Sequence, residues 1–244
     1  MKPGIRTFVA ASRRARRRAG IAGALAAAVA VAAGCGTPPT RYYTLAGDAL
    51  VADARADAGV AGRRLYVEVG PVGVPERLAR PQMVVRSGTD PASTRVDVLE
   101  QQRWSASFDR ELRDAFAVAI ATRLGAIDVT QGGLPPGQPV YQVSIQLRRF
   151  DATPAAAVDA VYGWTIRRSD DDRNALCQAS ISETVGESID AVVNGVQRTV
   201  AQAAARIAAG IAQLERSGRA DCPAGTGAAA ATGADGRRSP GGRL

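Results

Sequence analysis

The chain has 244 residues, which suits one domain of ordinary size with tails at both ends. It contains no histidine, so the commonest general base and metal ligand is missing and hydrolase triads built on His are excluded. The formal charge of +8 would favour nucleic acid or an anionic surface, but seven basic and no acidic side chains fall within residues 1–34, leaving +1 for everything after them; a nucleic-acid groove has little support and no nucleic-acid partner is expected.

Residues 1–34 read as an export signal: a basic stretch ending at Arg18, an apolar stretch over 19–33, then small residues before Cys35. The apolar run of 15 residues is shorter than the roughly 20 that span a bilayer as a helix, and Gly20 and Gly23 weaken it further. Ala32-Ala33-Gly34-Cys35 resembles the bacterial lipobox, with Ala32 where leucine is usual. The expectation is a lipoprotein signal peptide removed before Cys35, whose thiolate carries the lipid (palmitate-type chains), each buried methylene adding about 0.8 kcal/mol of membrane affinity. Ordinary cleavage near Cys35 and an uncleaved anchor are the competing readings. Gly36, with no Asp after the cysteine, resembles the sorting pattern of lipoproteins sent to the outer membrane, so the expected location is the periplasmic face of the cell outer membrane, held by a lipid anchor. No cofactor is expected beyond the covalent lipid on Cys35.

Residues 35–40 form the lipidated N-terminus and a stiff spacer, because Pro38 and Pro39 fix φ and bias their predecessors toward extended geometry. A periplasmic α+β domain is predicted over 41–216. Its early strands fall at 41–45, 64–69, 82–86 and 95–99; in the second, Leu65, Val67 and Val69 share a face against Tyr66 and Glu68. Trp104, Phe108, Leu112, Phe116, Ile120 and Leu124 recur every four residues, which predicts an amphipathic helix from Trp104, stopped at Gly125 and braced by Asp109–Arg113 and Arg110–Asp114 pairs. Core burial is the expected use of that stripe, ahead of partner binding.

Three strands forming an antiparallel meander are predicted next: Tyr141, Val143, Ile145 and Leu147 alternate with polar residues, as do Val158, Ala160, Tyr162, Trp164 and Ile166, and more weakly Cys177, Ala179 and Ile181. Asp170, Asp172 and Asn174 match the first ligand spacing of a calcium loop, but Ala175 and Ile181 stand where Gly and Glu are needed, so no metal is expected. Ser188 should cap a second long helix whose stripe is Val193, Val196, Val200, Ala203, Ile207, Ile211 and Leu214, with Arg198, Gln202 and Arg206 facing away. The predicted architecture is therefore a single α+β domain, a mostly antiparallel sheet with two long amphipathic helices packed on it. Residues 217–244, rich in Gly, Ala, Arg and Pro, should form a disordered tail. Cys177 and Cys222 remain after lipidation; they form a bridge in an oxidising compartment, or one buried thiol and one free tail thiol.

Several segments together resemble the PqiC family of ABC-type transport auxiliary lipoproteins: Cys35 followed by Pro38-Pro39-Thr40-Arg41-Tyr42-Tyr43-Thr44-Leu45, then Val67-Glu68-Val69-Gly70-Pro71-Val72 with Pro75, Arg80-Pro81-Gln82-Met83-Val84-Val85-Arg86, and Arg103-Trp104. The departures are Ala32 in the lipobox, an insertion-like stretch at 89–93 and the long tail. The resemblance implies an outer-membrane lipoprotein whose domain cooperates with an MCE-domain membrane protein in moving lipid between membranes, which preserves membrane integrity, and it brings no catalytic residues. A non-catalytic docking subunit, with a homo-oligomer as one form, is the leading expectation. The alternative is a lipid-binding carrier with an apolar cavity between sheet and helices. An enzyme would have to rely on acids such as Asp159 or Glu183, which solvated strand positions explain more simply. The 71–81 segment is the candidate partner-binding surface, on Arg77, Leu78 and Arg80.

Overall fold

The computed structural model describes residues 38–56, 65–88, 93–133, 136–171 and 173–222. The leader, Cys35 and the tail beyond 222 lie outside the described residues. Eight strands and three helices follow in the order β1 (Arg41–Tyr43), α1 (Asp48–Ala56), β2 (Tyr66–Val69), β3 (Gln82–Arg86), β4 (Val96–Trp104), α2 (Phe108–Leu124), β5 (Ile127–Asp128), β6 (Tyr141–Thr153), β7 (Ala157–Arg168), β8 (Asn174–Thr184) and α3 (Ile189–Ser217). The fold is α+β.

The predicted meander is present: β6 pairs antiparallel with β7, and β7 with β8. A register shift between Leu147 and Arg149 leaves Arg148 and Arg149 both exposed and returns Phe150 to the buried face; one extra residue thus preserves the apolar phase over a long strand. The larger sheet has the order β5-β2-β6-β7-β8, with β2 parallel to both β5 and β6. A second sheet, order β1-β4-β3, has β1 parallel and β3 antiparallel to β4. The sequence predicts one mostly antiparallel sheet; the structure has two, because the short early strands find parallel partners far along the chain.

Both long helices bury their stripes against one core. Phe108, Leu112, Phe116, Ile120 and Leu124 of α2 are all buried, as is the whole predicted stripe of α3. Phe116 meets Tyr162 edge to face at 5.4 Å between centroids, and the Tyr162 hydroxyl satisfies itself on Thr199 Oγ1 at 3.1 Å. At Gly195 a Cβ would lie 2.3 Å from Val185 Cγ1, so the missing side chain lets α3 sit close on the sheet. Ser188 caps α3 by accepting from the Ala191 N–H, and Gly125 closes α2 in the left-handed region at φ 59°.

The start of α2 differs from the prediction. Trp104 ends β4, where its N–H donates to the Pro81 carbonyl, and the helix begins only at Phe108. Trp104 still falls in line with the helical stripe because its ring stacks on Phe108 at 5.1 Å. The carboxylate pairing differs too, since Arg113 bonds its neighbour Asp114 at 3.1 Å. Helix α1 was not predicted; its nine residues bury Leu50 and Ala54 but are too short and Ala-rich to set a period.

Candidate functional site

Residues 70–81, between β2 and β3, form the candidate partner-binding segment. After β2, Gly73 continues the strand line beside β6, its N–H donating to the Ile145 carbonyl while its own carbonyl accepts from Leu147. Pro75 then starts a single tight turn over Glu76–Leu78, and the Leu78 N–H donates to the Pro75 carbonyl at 2.8 Å. The far end is held as well: the carbonyls of Arg80 and Pro81 accept from Phe108 and Trp104. A segment without periodicity is thereby fixed at both ends by backbone bonds.

This turn separates the three candidate residues. Leu78 is 4% exposed and packs in the core beside Met83, Trp104, Phe108 and Phe150, so it is not part of a partner-binding surface. The correction has a plain cause, since the turn points one apolar side chain inward and leaves its charged neighbours outside. Arg77 and Arg80 are exposed. Arg77 Nη2 donates to the Phe150 carbonyl at 3.1 Å, and the next residue, Asp151, is gripped by Arg86 at 2.8 Å and by Arg149 at 2.8 Å. Burial pushes the Asp151 carboxyl up, but the Arg149 hydrogen bond and the Arg86 charge outweigh it and hold the group below the usual aspartate range. Three guanidinium groups therefore converge beside the turn, Arg77 on the Phe150 carbonyl and Arg86 and Arg149 on the Asp151 carboxylate.

Glu111 is the organising residue that the sequence reading missed. Buried in the first turn of α2, its carboxylate accepts from the Thr44 hydroxyl (3.0 Å), the Leu45 N–H (2.9 Å), the Ser105 hydroxyl and the Ala106 N–H (3.1 Å). One side chain thus ties the exit of β1 to the β4–α2 corner and caps the positive end of the helix. An acidic residue in the first turn of the predicted helix, where it complements the positive helix end, was the available signal.

Cys177 and Cys222 form a disulfide with Cα atoms 5.4 Å apart, tying β8 to the segment that leaves α3. Cys35 lies outside the described residues. Glu183 is engaged by Arg198 at 2.6 Å and by Gln202. Of the three residues with calcium-loop spacing, Asp170 pairs with Arg168 at 2.8 Å and Asp172 lies outside the described residues. Among the described residues no cluster of His, Cys, Asp and Glu has the makings of a metal site.

Two hollows bear on the carrier alternative. One hollow between the sheets and helices, walled by Leu78, Met83, Phe108 and Val196, amounts to about 10 Å³, room for a single water. A larger open cleft of about 590 Å³ lies along α1 and α3, floored by Leu50 and Ala201 and rimmed by Gln197, Arg198 and an Asp53–Arg123 ion pair at 2.6 Å.

Residues 43–208 match the family described as the ABC-type transport auxiliary lipoprotein component. The chain belongs to that family. The auxiliary-lipoprotein match runs from β1 into α3 and so takes in both sheets, the 71–81 turn and Glu111. Among solved structures, an uncharacterized protein is similar in fold at a TM-score of 0.53 and 18% identity, the match covering 71% of this chain and 99% of that one. A Xanthomonas campestris protein of the DUF330 family is similar at a TM-score of 0.47 and 15% identity, covering 70% and 90% of the two chains. No curated protein sequence matches this chain. Among the described residues of this auxiliary lipoprotein, no helix is long and apolar enough to cross a membrane.

Proposed function

We propose that this auxiliary lipoprotein is a non-catalytic docking subunit, exported, acylated on Cys35 and held at the periplasmic face of the outer membrane. There its domain engages an MCE-domain membrane protein of a lipid-transport system that maintains envelope integrity, alone or as a homo-oligomer. The observation that supports this most is the family match over residues 43–208, set directly behind a basic, then apolar leader that ends at a cysteine. The geometry supports the same reading. Arg77 and Arg80 project from a turn whose backbone is bonded at both ends, so they can meet a partner with little ordering cost. Glu183, one of the two carboxylates considered for acid chemistry, is already bonded by Arg198 and Gln202.

The test is capture of the MCE protein from crosslinked cells by the wild type and by Arg80→Glu. Charge reversal on the fixed turn should weaken capture by about tenfold, with an unchanged circular dichroism spectrum. Equal capture by both proteins would remove the turn from the interface. Absence of any MCE protein among the crosslinked products would overturn the docking assignment itself.

A further inference from the structure

The two sheets treat their outward faces differently. On the larger sheet the outward residues of the inner strands β6 and β7 are polar, as in Gln142, Ser144, Gln146, Thr165 and Arg167, and the exposed Ile127 and Leu176 stand apart on its two edge strands, the usual finish for a sheet with one face in water. On the three-stranded sheet the register puts Tyr42 beside Arg103, Arg103 opposite Gln82, Val84 opposite Val98 and Arg86 opposite Val96. Gln82, Val84 and Arg86 alternate with the buried Met83 and Val85, so Tyr42, Val96 and Val98 share one outward face. They are 66%, 47% and 38% exposed, three of the five large apolar side chains exposed among the described residues. The inward face, with Met83, Val85 and Trp104, is already sealed in the core.

The position of this face in the chain names its occupant. Only six residues lead from Cys35 to Arg41, and an extended chain spans at most about 3.6 Å per residue, so a lipid on Cys35 keeps β1 within about 20 Å of the bilayer. An aromatic ring with a polar tip, a cation beside it and two exposed valines are the side chains that settle at headgroup depth. A short tether also makes the contact effectively intramolecular, so weak intrinsic affinity is enough to keep the face engaged. We propose that the outward face of the three-stranded sheet, centred on Tyr42, Val96 and Val98, lies against the lipid surface and fixes the orientation of the domain on its membrane. The inference rests on the anchoring proposed above and adds a second, non-covalent contact to it.

The test uses acylated full-length protein in vesicles of phosphatidylethanolamine and phosphatidylglycerol with brominated acyl chains. The native tryptophans, Trp104 and Trp164, are buried, so an indole introduced by Val98→Trp reports on the face and one introduced by Leu176→Trp on the edge strand β8 serves as the control. The Val98→Trp emission should shift to the blue and be largely quenched, the Leu176→Trp emission should not, and adding Tyr42→Ser with Val96→Asp should restore the first, because each apolar group removed weakens partition by roughly tenfold. Equal quenching at both positions, or quenching that survives the added substitutions, overturns the proposal while leaving the anchor intact. A self-association in detergent that Val96→Asp abolishes, without quenching, assigns the face to a second copy and overturns it as well. Loss of the anchor itself is read separately, from the mass of the N-terminal peptide.

Discussion

The half of the domain from β6 to α3 and the half from β1 to α2 are held together by different means. In the later half, neighbours in sequence are neighbours in space: β6, β7 and β8 pair in order and α3 lies back across them. In the earlier half, β1 finds β4 about sixty residues on, through Tyr42 and Arg103, and β2 finds β6, through Val67 and Tyr141. Local pairing lets apolar alternation alone specify the later half. Distant pairing requires individual polar clamps, and Glu111 is the main one. The earlier half also carries the exposed turn and the outward apolar face, so the part that was harder to specify is the part proposed to meet other molecules.

Removing the centre of the later half should have the largest effect. Tyr162→Ala deletes a fully buried ring that packs on Phe116 and should cost about 3–5 kcal/mol in urea unfolding. Opening the Cys177–Cys222 bridge with Cys222→Ser frees a loop of 45 residues, and the chain-entropy model puts the loss at about 4 kcal/mol, with real bridges usually giving less. Glu111→Ala orphans buried donors in the earlier half and should cost roughly 1–3 kcal/mol. Its distinguishing sign is regional: amide exchange should quicken at Leu45 and Ala106 while β6 to β8 stay protected. Uniform acceleration would mean that the two halves open together and that the contrast between them is wrong.

Asp151 gives a smaller, pH-dependent effect. Its carboxyl is held below the usual range in the folded protein, so its stabilisation is fully present above the ordinary aspartate value near 4 and is lost as pH falls through the folded value. Asp151→Asn should therefore lower stability at neutral pH and flatten the acid limb of the melting curve; an unchanged slope below about pH 4 would contradict the Arg86 and Arg149 pairing. Smallest of all, Arg80→Glu on the exposed turn should shift unfolding by no more than about 0.5 kcal/mol while weakening partner capture.

The same contrast explains what could be read from the sequence. The strands after Tyr141 and the stripe of α3 were legible because periods of two and of near 3.6 survive intact over long elements. β1 and β2 were legible as strands at 41–45 and 64–69, but at three and four residues they carry no sign of their parallel partners, and β5, with two residues, is too short to show a period at all. Trp104 was placed in a helix because four-residue spacing is blind to a ring that stacks from the end of a strand. Leu78 was placed on a surface because charge on either side of it suggested exposure, whereas a tight turn can separate three consecutive residues into two outside and one inside.

The account depends on the domain being tethered through its first mature residue. Mass spectrometry of the N-terminal peptide from purified membranes tests that directly, with incorporation of radiolabelled palmitate as its companion. The predicted result is a chain that starts at Cys35, carries thioether-linked lipid and loses the label in Cys35→Ser. A retained leader, or a free thiol at Cys35 in membrane-derived protein, would contradict it.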